Sequence, residues 1–239
     1  WLLFCERHNI PLTREIFYKE LNGMNSKDTF EWFYKKEMSR AEVEILEEEK
    51  EILYRSFYKA HLKPALGLLD FLKTLRKHGI KTALATSAGP GNIDFIVDGL
   101  GIRDQFDAII GGAEVSKGKP DPEIYLKAAE LVGVLPSECW VIEDSLQGIA
   151  SGLNAGMRVV GITTSHTAKE LAHTHWIATD FIDADGKPFT FEDLMGSNSI
   201  IEGDHKTARA KGNETSKANL VLRNKTANIR KSDKTIAGK

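Results

Sequence analysis

The stretch 140-WVIEDSLQGIASGLNAGMRVVGITT-164 decides how this chain folds. It opens on the apolar run Trp140-Val141-Ile142 and stops abruptly at Glu143-Asp144. A segment ending at Asn154-Ala155-Gly156 follows, and then a second apolar run, "MRVVGITT". Short apolar runs bounded by turn residues read as buried strands, and the segment between them is long enough for a helix. Strand, helix and strand in that order make a parallel crossover unit, because a parallel pair cannot be joined by a tight turn.

Working outward, the same grammar repeats. Toward the N-terminus come the helix "DPEIYLKAAELVG", the strand "FDAIIGG", a helix from Asn92 to Leu100, and the short strand "IKTALATS". Before that strand, "LGLLDFLKTLRKHG" is an amphipathic helix closed by Gly79. Toward the C-terminus a short helix at Ala168 to Ala172 precedes the strand "HWIATDF". This alternation predicts an α/β fold with a Rossmann-like, doubly wound parallel sheet.

Upstream of Pro64 the pattern is helical throughout. Thr13 stands as an N-cap with Phe17 and Leu21 on the inner face of its helix. Ser39 followed by Glu42 has capping-box spacing, and Ile45, Leu46, Ile52, Leu53 and Phe57 roughly follow a helical period. Downstream of Phe191 no aromatic residue occurs. Residues 204–239 hold ten Lys/Arg against three Asp/Glu, with only the scrap "NLVL" as possible structure, so disorder is expected there. The expected organisation is a helical unit over 1–63, an α/β core over 64–196 and a basic polar tail over 197–239.

The formal net charge is −2 although the tail is basic, so the rest of the chain is clearly acidic, which argues against a nucleic-acid partner. Two cysteines, Cys5 and Cys139, make no disulfide framework and fit a reducing, cytoplasmic setting. No apolar run approaches the ~18 residues of a membrane span.

In an open parallel sheet, ligands gather outside the carboxyl ends of the strands. Those ends read "ATSAGPGN", "IIGGAEVSKGKPDP", "VIEDSLQG" and "GITTSH". Thr86 and Ser87 offer hydroxyls followed by a glycine-rich turn, which can hold a phosphate. An ordinary strand-to-helix turn uses the same residue types. Lys119 lies at the start of a helix, where the dipole favours anions, so an anion between lysine and helix makes sense of it; a surface lysine is the plain alternative. Glu143 and Asp144 follow a buried strand, where two adjacent carboxylates are costly without a cation. Such oxygens suit Mg²⁺, whereas a helix cap would account for only one of them.

"ATSAGPGN", "SKGKPDPEIY" and "VIEDSLQGIASGLNAGM" together resemble the haloacid dehalogenase-like (HAD) superfamily, in its beta-phosphoglucomutase-like phosphatase subgroup. The resemblance runs from Trp1 to about Asp183 and implies a HAD-like core with a small alpha-helical cap. It makes Thr86 the hydroxyl on the transferring phosphoryl group, Lys119 the charge-stabilising lysine, Asp144 a direct Mg²⁺ ligand and Glu143 its acidic neighbour on the metal. It makes "LNGMNSKD" the cap's substrate-facing loop, with Ser26 and Lys27 where relatives carry an arginine, and Lys50 and Tyr54 a polar cap pair.

The family's opening strand, central in its sheet, ends in an Asp-x-Asp motif whose first aspartate attacks phosphorus. No segment here has that context: "DADG" at 183–186 follows the final strand-like segment. The expectation is that this strand lies upstream of Trp1 and that the chain alone turns over negligibly. For the complete protein the resemblance implies a monomeric, Mg²⁺-dependent phosphatase. Its substrate is expected to be a small phosphorylated metabolite such as a sugar phosphate, taken through an aspartyl-phosphate under a closing cap. A phosphomutase and a non-catalytic binding or regulatory protein are the alternatives.

Overall fold

Five of the chain's strands follow the apolar runs along residues 80–178, and a sixth comes from the tail. The computed structural model describes residues 1–21, 26–182 and 219–222. The chain divides into two compact units, with the boundary between Leu62 and Lys63.

The first unit is helical. It comprises α1 (Leu2–Arg7), α2 (Arg14–Ile16) running on as a π-helical turn over Phe17–Leu21, α3 (Ser26–Tyr34) and α4 (Arg40–Tyr58). Thr13 accepts the Ile16 N–H, and Ser39 and Glu42 form the reciprocal capping box that starts α4. Phe4, Cys5, Leu21, Phe30, Phe33, Met38 and Val43 make the core, with Leu46 and Leu53 packed against it. Not all of the apolar positions expected on the inner face of α4 are there. Ile45 and Ile52 are 70% and 52% exposed, because Val43, Leu46 and Leu53 already define the buried stripe on the other side.

The second unit opens with α5 (Leu68–Lys77), whose Phe71, Leu72 and Leu75 are buried. Then come β1 (Thr82–Ala85), α6 (Pro90–Gly99), β2 (Ala108–Ile110) and α7 (Glu123–Val132). They are followed by β3 (Cys139–Glu143), α8 (Leu146–Asn154), β4 (Arg158–Ile162), β5 (Trp176–Ala178) and β6 (Asn219–Leu222). Gly79 and Gly133 close α5 and α7 with positive φ, as the C′ position favours. The helix expected at Ala168 to Ala172 is instead a run of turns.

All strands pair in parallel, in the order β2-β1-β6-β3-β4-β5. Both faces are covered. Trp140 and Ile142 join Phe71, Leu72 and Leu75 of α5 in one cluster, while Cys139 and Val141 join Ile124 and Tyr125 of α7 and Ile149 of α8 in another. That alternation along β3 explains why its run is apolar without a break.

β6 falls on "NLVL", the one stretch of the tail read as possible structure. Asn219–Leu222 lies between β1 and β3 and closes a gap that would otherwise split the sheet. Residues 22–25 of the expected cap loop, the 183–186 stretch and the rest of the tail lie outside the described residues.

Candidate functional site

The carboxyl edge of the sheet is assembled from four strand ends. β1 delivers Thr86, 2% exposed, whose N–H donates to the Ile110 carbonyl at 3.0 Å and whose Oγ1 accepts from the Ala88 N–H at 3.1 Å. Ser87 follows at the surface. The loop after β2 lies directly on this turn, and the glycine pair there makes the approach possible. A Cβ on Gly112 would fall 2.6 Å from the Ser87 carbonyl oxygen, and one on Gly111 2.6 Å from Ile93 Cδ1.

Lys119 is held by a braced loop. The Glu123 carboxylate accepts from the Ser116 and Lys117 N–H groups and from Ser116 Oγ. A hydrogen bond from Lys127, followed by those from Ser116, lowers the Glu123 pKa to about 2. From α8, Ser151 Oγ donates to the Asp121 carbonyl at 2.7 Å and Asn154 Nδ2 to that of Pro120 at 3.1 Å. The lysine side chain is 5% exposed. Its Nζ donates to Glu143 Oε1 at 2.9 Å, to Tyr125 Oη at 2.9 Å and to the Ala85 carbonyl, next to Thr86, at 3.4 Å.

The acidic pair divides by role. Glu143, whose side chain is fully buried, gives Oε1 to Lys119 and to the Tyr125 hydroxyl. Its Oε2 accepts from the Asp144 and Ser145 N–H groups, each at 2.8 Å, and from Ser145 Oγ at 3.1 Å. Expected on the metal beside Asp144, Glu143 is turned inward to Lys119 and the start of α8. A carboxylate with this many donors is a fixed counter-charge, which makes the buried ammonium tolerable. Asp144, 8% exposed, points its Oδ2 to Thr164 Oγ1 at 3.1 Å and to Ser165 Oγ. The cap on α8 is Ser145, whose Oγ accepts the Gly148 N–H, so neither acid is spent as the N-cap side chain.

Thr86, Lys119, Glu143 and Asp144 therefore share one edge, linked through Ala85, Lys119 and Glu143. The cap candidates belong to the helical unit, and each has partners there. Ser26 Oγ donates to Glu47 at 2.5 Å, Lys27 pairs with Glu31 at 3.5 Å, Lys50 pairs with Glu51, and Tyr54 stacks on Tyr58 at 5.6 Å. Tyr125, Thr164, Ser165, Ser151 and Asn154 went unassigned in the sequence. The hydroxyls of "GITTSH" stood at a strand end and were legible as site neighbours; Tyr125 looks like any helix-core aromatic until Lys119 is placed beside it.

Among the described residues no group of three or more His, Cys, Asp or Glu could hold a metal ion. Asp144 with the hydroxyls around it offers one carboxylate. Mg²⁺ is commonly bound by one or two carboxylates, with waters and substrate phosphate filling its shell.

A parallel, doubly wound α/β protein with a buried lysine–glutamate pair and a second acid at its carboxyl edge is the class that fold and site define. Residues 4–162 match the family described as haloacid dehalogenase-like hydrolase, and the chain belongs to that family. It is 31% identical over 199 residues to the beta-phosphoglucomutase of Bacillus subtilis (strain 168), covering 74% of this chain and 86% of that protein. It is 37% identical over 102 residues to the bifunctional riboflavin kinase/FMN phosphatase of Arabidopsis thaliana, 42% of this chain but only 27% of that longer protein. Among solved structures, the family IA, variant 3 HAD hydrolase from Entamoeba histolytica HM-1:IMSS superposes with a TM-score of 0.70 at 32% identity. That match covers 81% of this chain and 86% of the other. No helix among the described residues is long and apolar enough to cross a membrane.

Proposed function

We propose that this chain carries the phosphate- and metal-binding part of a phosphatase site of the beta-phosphoglucomutase-like subgroup, acting on a small phosphate monoester such as a sugar phosphate. The observation that carries the reading is the buried Lys119 ammonium, fixed by Glu143 at 2.9 Å and pointing at the carbonyl beside Thr86. A phosphoryl group at that edge meets a positive charge already desolvated and positioned, so little reorganisation is needed as charge builds on its oxygens. Thr86 Oγ1 and the Ser87 and Gly89 amides would supply neutral donors, the Ala88 N–H being already given to Thr86 Oγ1. Asp144 would hold Mg²⁺, which supplies Lewis-acid stabilisation of the phosphoryl oxygens. Glu143 acts through Lys119 as a positioning residue.

In the aspartyl-phosphate reaction, a carboxylate oxygen attacks phosphorus, the substrate's alkoxide leaves with a proton, and water then cleaves the acyl phosphate. None of the described residues at this edge is in the expected Asp-x-Asp context. The 239-residue chain is accordingly proposed to bind phosphate without turning it over.

Calorimetric titration with inorganic phosphate and Mg²⁺ tests the binding reading, with assays on p-nitrophenyl phosphate and sugar phosphates alongside. Phosphate binding should weaken at least about tenfold, or ~1.4 kcal/mol, in Thr86→Val and in Asp144→Asn when Mg²⁺ is present. Unchanged binding in both variants sinks the assignment, and measurable turnover by this chain would mean that an attacking group lies within it. A phosphomutase is the second reading, favoured by the 86% coverage of the Bacillus subtilis enzyme. Isomerisation of beta-glucose 1-phosphate without release of free phosphate would select it.

A further inference from the structure

We propose that Tyr125 is a positioning residue for Lys119, its hydroxyl turning the ammonium so that the N–H now on the Ala85 carbonyl is the one a phosphoryl oxygen takes. The inference rests on the phosphate reading above and adds to it a residue of α7 that acts through the lysine. An ammonium carries three N–H donors. Lys119 Nζ has three acceptors in reach, Glu143 Oε1 and Tyr125 Oη at 2.9 Å each and the Ala85 carbonyl at 3.4 Å. The long bond is the weakest and lies beside Thr86, so a phosphoryl oxygen arriving there exchanges with it at least cost.

Tyr125 is suited to fix the other two N–H groups. It is fully buried, and its ring packs in the cluster that holds Ala83, Ala85, Val141 and Ile149. Its backbone N–H donates to the Pro122 carbonyl at 3.0 Å in the first turn of α7. A ring close-packed on a helix has little freedom to follow the lysine, so the lysine follows the ring. The hydroxyl accepts from Nζ and gives its own proton to Glu143 Oε1 at 3.1 Å, closing a triangle of Lys119, Tyr125 and Glu143. Nζ also lies 4.4 Å from the centroid of the tyrosine ring, whose face attracts a cation. The chemistry of this second acceptor matters. A second carboxylate in its place would make the cluster net negative and repel phosphate. A phenyl ring would leave an ammonium proton short of an acceptor on a side chain that is 5% exposed. A phenol satisfies the proton and adds no charge.

Tyr125→Phe keeps the ring and removes only the hydroxyl. In calorimetric titration of the full chain with inorganic phosphate and Mg²⁺, it should weaken phosphate binding at least about fivefold. Ile124→Val, one residue away in the same core, is the structural control. It should lower the urea midpoint and leave phosphate affinity where it was. Unchanged affinity in Tyr125→Phe overturns the proposal, and so does an equal loss in Ile124→Val. The second measurement needs no ligand. In proton–nitrogen correlation spectra of the lysine ammonium groups, exchange of the Lys119 protons with water should be slow in the unaltered chain, and at least about fivefold faster in Tyr125→Phe. Exchange in the unaltered chain as fast as in the exposed lysines overturns the proposal, even where Tyr125→Phe fails to fold. A parent chain that binds no phosphate sinks the phosphate reading, and the ammonium exchange then decides alone whether Tyr125 holds Lys119.

Discussion

Gly148→Ala is the sharpest test of how the site is held. Gly148 sits in the first turn of α8, where an added Cβ would fall 1.8 Å from Glu143 Oε1 and 2.0 Å from its Cδ. For an exposed glutamate the displacement would be cheap, because the end of a flexible side chain moves aside. Here the carboxylate is fully buried and takes hydrogen bonds from Lys119, Tyr125, Asp144 and Ser145, so retreating by more than an ångström breaks several of them. Separating a buried ion pair costs about 3–5 kcal/mol. Replacing a helical glycine returns up to about 1 kcal/mol, which leaves a net loss of about 2–4 kcal/mol. Urea unfolding followed by near-UV dichroism of the core tryptophans reads that loss directly. Gly152→Ala is the matched control on the same helix. Its Cβ would meet Val159 Cγ2 at 3.0 Å and Val141 Cγ2 and Cβ at 3.2 and 3.3 Å, so it should cost clearly less. A Gly148→Ala loss below about 1 kcal/mol would refute the premise that Glu143 is fixed by its partners.

Lys119→Met and Glu143→Gln should each destabilise by about 3–5 kcal/mol, while the double variant loses less than their sum, the coupling being read from the double-mutant cycle. Ser39→Ala should cost the helical unit about 1 kcal/mol, and Ser39→Gly only a few tenths, measured by loss of far-UV helicity with denaturant. His175 accepts the Val159 N–H at its Nδ1 at 3.1 Å, which requires a ring nitrogen without its proton. Burial first, and then Arg158, hold its pKa below the ordinary value. The unfolded chain therefore takes up the proton first as pH falls. Stability is intact above about 6.5 and is lost as the pH drops toward the lower folded value. His175→Gln should flatten this slope in urea midpoints taken from pH 7.5 to 5, and an unchanged slope would clear His175 of the effect.

Much of this was legible because strand ends in a parallel sheet are chemically conspicuous. Thr86, Lys119 and the acidic pair stand where apolar runs stop, and the fold gathers them on one edge. Which way each side chain turns was not legible. Glu143 and Asp144 are neighbours with the same chemistry, and only the close approach of Gly148, together with the amides at the start of α8, sends one inward and the other to Thr164 and Ser165. Periodicity likewise could not choose between the two apolar stripes of α4. β6 was legible only as the apolar scrap "NLVL" in a polar, basic stretch; four residues carry no local signal of which strands they pair with.

The glycine pair after β2 also limits how this edge can vary. A side chain at Gly112 would meet the Ser87 carbonyl oxygen at 2.6 Å, and one at Gly111 would meet Ile93 Cδ1 at the same distance. Bulk at either position has to lift the loop off the turn that follows β1. Lys119 hangs further along that loop, so a change made at a glycine is expected to be felt at a lysine several residues away.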